Sequence, residues 1–234
     1  MLRKFLIILL LAVAGVLRSE AQTTGGVFGP TVLPNEAAAG YRIVRDMEND
    51  RFAQRVHIQS AIGADTRSRL VLQVDDELDA QFVQAELLWN FKRPNEDRWA
   101  SGLRWDARFA TSETSSRSLG MNWTNEWRPN EDVRIRAVIL TGVDLGPNRS
   151  DGVRIETRAS FARRINDGEW IAIDAFNSFG RATGFGKLSE QRHRIGPTYQ
   201  RRVGEDWSIL AGTLFGATDA ASDLEARLWL ERHF

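Results

Sequence analysis

Arginine carries most of the chemistry this chain could do. The sequence holds 31 Lys+Arg against 31 Asp+Glu, and only positions 4, 92 and 187 are lysine. A guanidinium is a planar fork that pairs with a carboxylate in the same chain or with an anionic ligand. Arginine in bulk therefore means ion-pair ladders, an anion-attracting surface, or both. The balanced charge gives no global field that would argue for a nucleic-acid partner. The three histidines, His57, His193 and His233, lack metal-ligand spacing, and no Gly-x-Ser-x-Gly elbow occurs. No metal and no cofactor is expected. The glycine-rich string Gly180–Gly186 has no helix after it to complete a phosphate cradle, and reads as a loop.

The elements that must position these groups are strands. From Phe52 onward the apolar residues recur at every second position, the period of a pleated strand, while Tyr41–Met47 alternates poorly. In 98–109 Trp99, Leu103, Trp105 and Phe109 oppose Arg98, Arg104, Asp106 and Arg108; in 133–141 Val133, Ile135 and Ile139 oppose Arg134 and Arg136. Short turn-forming strings punctuate the pattern at 63–65, 94–97, 129–132, 166–168 and 204–206, some 31 to 38 residues apart. Gly, Pro, Asn and Asp are the residues such turns select. Longer connections are expected between them, near 48–51, 76–80, 110–117, 142–151, 180–188 and 216–223. Twelve strands follow: 41–47, 52–62, 69–75, 81–91, 98–109, 118–127, 133–141, 152–163, 169–179, 190–202, 207–215 and 224–234. Pro197 removes a ladder donor inside one of them, so a bulge or break is expected there.

Two architectures accommodate this alternation. A soluble sandwich would bury the apolar face and leave the charged face in water. A membrane barrel would turn the apolar face to lipid and the charged face inward. Aromatic placement favours the barrel. Trp89, Phe91, Trp99, Trp127, Phe161, Trp170 and Trp207 lie beside short turns, and Phe52, Phe82, Phe109, Phe179 and Phe215 beside the longer loops. That is the two-girdle pattern of membrane interfaces.

The ends of the chain point the same way. Met1–Lys4 is basic, Phe5–Val16 is a run of 12 residues, mainly apolar, and Ser19-Glu20-Ala21 offers small residues at a cleavage site. Residues 1–21 thus read as a secretory signal peptide, and 22–40 as a leader that hangs in the periplasm or plugs a lumen. The absence of cysteine removes lipoprotein attachment and disulfides. The last strand places Leu228 and Leu230 on one face and ends on Phe234. This resembles the C-terminal signal of bacterial outer-membrane β-barrels, which the barrel-assembly machinery recognises, although Arg232 stands where that family favours an apolar residue. The resemblance implies a closed antiparallel transmembrane β-barrel (all-β, residues 41–234) in the outer membrane of a Gram-negative cell, with outer-membrane lipids and that machinery as partners.

The phase then predicts the residues lining the pore. Arg55, His57, Arg69, Glu86, Arg104, Asp106 and Arg108 come from the first half; Glu126, Arg134, Arg136, Arg154, Glu156, Arg158, Asp174, Arg194 and Arg227 come from the second. Such a lining suits a small channel for passive passage of small, possibly anionic, solutes. The alternative is a non-conducting structural or surface-interaction barrel filled by Arg–carboxylate pairs. A lipid-modifying enzyme using His57 as a general base is a third reading, for which no His–Ser pairing is evident in the sequence.

Overall fold

The computed structural model describes residues 25–234, apart from 76–77, 96–97, 112–116 and 147–148. The expected signal peptide lies outside the described residues. Twelve long strands form the body: β1 (Ala37–Asp46), β2 (Arg51–Ala61), β3 (Thr66–Val74), β4 (Ala80–Lys92), β5 (Trp99–Ala110), β6 (Arg117–Asn130), β7 (Val133–Leu145), β8 (Arg154–Asn166), β9 (Glu169–Arg181), β11 (Arg192–Val203), β12 (Trp207–Gly216) and β13 (Leu224–His233). A two-residue strand, β10 (Gly184–Phe185), folds back on β9 as a small hairpin. Each long strand pairs antiparallel with its chain neighbours, and β1 pairs with β13 from Ala38↔His233 to Asp46↔Glu225. The sheet closes on itself, so no edge is left with unpaired backbone groups. Strands of 9 to 14 residues suffice to cross a hydrocarbon layer, which takes about 9–11 tilted residues.

The faces are inverted relative to a water-soluble barrel. Ile58, Leu70, Leu87, Trp105, Met121, Ile139, Ile173, Ile195 and Leu228 are exposed on the outside, while Arg42, His57, Glu86, Arg104, Glu126, Asp174 and Arg227 are buried. Polar side chains on the outer face hide under the aromatic girdle. Trp99 Nε1 donates to Asn125 Oδ1 at 3.2 Å and Trp123 Nε1 donates to Ser101 Oγ at 2.8 Å. The indole edges thereby find acceptors at the level where an amphipathic ring is most at home.

Three local expectations change, and the break expected at Pro197 occurs on one side only. The first strand starts at Ala37, four residues before the expected Tyr41, so the leader ends at Glu36. The run Ala37-Ala38-Ala39-Gly40 carries no alternation, yet small residues are required there: a Cβ on Gly40 would sit 2.3 Å from His57 Cε1. Phe82 is buried and Trp170 borders the lumen, so neither belongs to a girdle; the Phe82 ring receives Arg108 at 4.1 Å and Arg55 at 5.5 Å. Two of the connections expected to be long are short, at 47–50 and 75–79. Asp46 closes the first by accepting from the backbone of Glu48 and Asn49. At Pro197 the ladder to β9 continues, while the pairing to β12 lapses at Gly196 and Pro197 and resumes in the same register.

Candidate functional site

The inward phase encloses a cavity of about 920 Å³. Asp75, Gln81, Asp144 and Arg181 line it toward one rim; Gln59, Arg134, Trp170 and Ser208 line it toward the other. Of the sixteen residues assigned to the lumen, Arg55, His57, Arg69, Glu86, Arg104, Asp106, Arg108, Arg134, Arg136, Arg154, Glu156, Arg158 and Asp174 border this cavity. Glu126 and Arg227 are buried in the wall behind it, and Arg194 pairs with Glu225 at 3.4 Å.

On the β3–β6 side the lining is a connected network. Register places Arg69 opposite Glu86 and Glu86 opposite Asp106. Two carboxylates directly across a ladder repel. Arg104 resolves this by reaching between them, Nη1 at 3.4 Å from Glu86 and Nη2 at 3.6 Å from Asp106. Arg69 adds a contact to Glu86 at 3.7 Å, Gln84 donates to Glu86 at 2.7 Å, and Asn122 donates to Asp106 at 2.5 Å. Arg108 in turn donates to Gln84.

Further round the barrel the pairs are smaller. Glu126 accepts from Arg136 at 2.6 Å and Arg128 at 2.7 Å. Glu156 sits between Arg154 at 3.3 Å and Arg158 at 3.5 Å. Asp144 meets Arg154 and Arg181 near the rim. Asp174, Thr198 and Arg227 form a closed triangle at 2.9–3.2 Å.

Two cations behave differently. Arg42 is 5% exposed and lies over the Trp229 ring at 3.6 Å. Arg134 lies over the Trp170 ring at 4.6 Å. Neither forms an ion pair among the described residues, and the Nε of each is buried without an acceptor. The charges bearing on Arg42 are other arginines, Arg69, Arg55, Arg158 and Arg227. An aromatic face stabilises a cation without neutralising it, so these two positions keep their positive charge available to the cavity. Arg42 was not anticipated from the sequence, because its strand was given limits but no inward phase.

The histidines are held by polar neighbours. His57 Nε2 is 2.9 Å from Glu231 Oε2, and His193 contacts Asn177 and Gln191. A His–Ser pair unseen in the sequence does form, with Ser208 Oγ 3.3 Å from His233 Nε2. Glu231 Oε1 approaches that same nitrogen at 3.6 Å. A nucleophile relay needs the hydroxyl and the carboxylate on opposite ring nitrogens, and this cluster does not have that arrangement.

Part of the leader lies inside the barrel. Arg158 donates to the Gly26 carbonyl at 3.0 Å, Arg136 to Val27 at 3.5 Å and Thr124 to Phe28 at 2.8 Å. The Phe28 ring takes Arg104 at 3.8 Å. Pro30 and Val32 are buried, and the chain emerges at Leu33, which is 60% exposed.

On the C-terminal strand Leu228 and Phe234 are exposed on the outside, and Leu230 is half-buried. Arg232 lies between Trp207 and Phe234 at the rim, 5.7 and 5.2 Å from their rings.

No protein-family model and no curated protein matches the sequence. Among solved structures, the fold is similar to that of the KdgM porin, with a TM-score of 0.64 over 84% of this chain and 99% of that one at 7% identity. It is also similar to the NanC porin, with a TM-score of 0.60 over 86% and 98% at 12% identity. At such identities the likeness is one of fold, and it agrees with the closed sheet and its inverted faces. The chain therefore has the fold of these porins, a closed antiparallel β-barrel of twelve long strands.

Proposed function

We propose that this barrel is a small passive channel for small solutes, with a preference for anions. The observation that carries the reading is Arg42 and Arg134 on indole rings, with Arg108 on Phe82 and Gln84: three cations at the cavity wall with aromatic partners and no ion pair among the described residues. A fixed uncompensated positive charge beside an aqueous path lowers the barrier to anions and raises it to cations. The names of the two similar structures, both porins, agree with passage of solutes. In this reading the outer apolar belt meets outer-membrane lipid, and Leu228, Leu230 and Phe234 are what the assembly machinery engages. No enzymatic role is assigned, since Ser208, His233 and Glu231 do not form a relay.

Purified protein in planar bilayers tests this. Under a salt gradient the reversal potential should have the sign of anion preference, and Arg134→Glu should lower that preference several-fold. Cation preference in the unmodified barrel, or no response to Arg134→Glu, would remove the anion reading. A second reading, a non-conducting barrel, is favoured by the network around Glu86 and by the leader in the lumen. It predicts silent bilayers for the barrel with and without its leader.

A further inference from the structure

Residues 25–31 sit in the lumen in a way that filler would not require. Among the described residues no backbone-to-backbone hydrogen bond joins 25–32 to the wall. The segment is held by side chains, chiefly Arg158, Arg136 and Thr124 on three successive carbonyls and Arg104 on the Phe28 ring. Its glycines are matched to the wall. A Cβ on Gly26 would lie 2.0 Å from the Trp229 ring, and one on Gly25 would lie 2.4 Å from the Arg158 guanidinium. The other contact of that same indole is Arg42. Neutral carbonyl oxygens thus occupy donors that would bind a carboxylate or other oxyanion more strongly, because charge-assisted hydrogen bonds are roughly twice as strong as neutral ones.

We propose that residues 25–31 are an autoinhibitory segment: it fills the path beside Arg42 and takes the Nη1 groups of Arg158 and Arg136 that Glu156 and Glu126 leave over, so that segment and anionic solute compete for them. The proposal rests on the channel reading above. The segment is joined to β1 through the turn at Leu33–Glu36 and can leave the lumen without disturbing the closed sheet.

The test compares single-channel conductance of the unmodified mature barrel, Gly26→Val and a deletion of 25–31, each checked for folding by heat-modifiable gel mobility. Valine at 26 cannot pass Trp229, so both variants should conduct at least about twofold more than the unmodified barrel. Equal, non-zero conductance in all three would overturn the plug and leave the channel standing. Silence in all three would overturn the channel and the plug with it. A second measurement does not depend on the deletion folding. The chain has no cysteine, so Val27→Cys reports the segment alone. Its labelling by a membrane-impermeant maleimide should be slow and should quicken when citrate is added. A labelling rate indifferent to citrate would overturn the competition.

Discussion

Two regions of one lumen, the β3–β6 side and the strands that flank it, use arginine in opposite ways. On the β3–β6 side, Arg69 and Arg104 are tied to Glu86 and Asp106, and Gln84 and Asn122 take up remaining carboxylate oxygens. On the strands that flank this side, Arg42 of β1 and Arg134 of β7 rest on Trp229 and Trp170 with no ion pair among the described residues. The difference is in what each side chain can still do. A guanidinium between two carboxylates is a structural cross-link whose charge is used up; one on an indole has a fixed position and an unspent charge. Counting arginines therefore says little about selectivity until their partners are known.

The comparison can be broken at its strongest point first. Glu86→Ala strands Arg69 and Arg104 in a buried site, and removing one partner from such a network costs about 3 kcal/mol. Urea unfolding in detergent should show a loss of that order; an unchanged midpoint would mean the network is not holding the wall. Arg42→Met removes a cation with no carboxylate to orphan, so the same assay should register a change within about 1 kcal/mol, while anion preference in bilayers falls. If the two substitutions destabilise equally, the two regions are not different in kind. The smallest effect is expected outside the lumen. Arg232→Leu, at the rim end of β13, should shift unfolding by only about 0–1 kcal/mol, the range for arginine toward lipid near an interface.

The strands were legible because alternation and turn chemistry are local. Every expected strand corresponds to one in the barrel, and the faces followed from counting in twos. Phe82 shows the limit of reading by neighbourhood. Its nearness to a loop suggested a girdle, yet it is an odd number of residues from Trp89 and must face the other way. The start of β1 was hidden because Ala37–Gly40 has no side chains large enough to show a period, and smallness there answers to His57 on the next strand. The placement of the leader was hidden for a related reason. Its glycines have meaning only against Trp229, Arg158 and Arg136, which lie more than a hundred residues away in the chain. The Arg–carboxylate pairings were foreseeable as a class, since register puts Arg69 beside Glu86 and Glu126 beside Arg136. Which arginines escape pairing depends on indoles from other strands, and no short-range pattern encodes that.

One feature of the seam bears on how long the molecule lasts. His57 on β2 reaches Glu231 on β13 by passing over Gly40 of β1, the strand between them. The first and last strands are thus bound by one ladder of backbone hydrogen bonds and also by a clasp that straddles the closing strand. A barrel that comes apart by parting first from last must break the clasp and that ladder in one event. Such an event is governed by a rate, so the seam contributes to lifetime in the membrane more than to equilibrium stability.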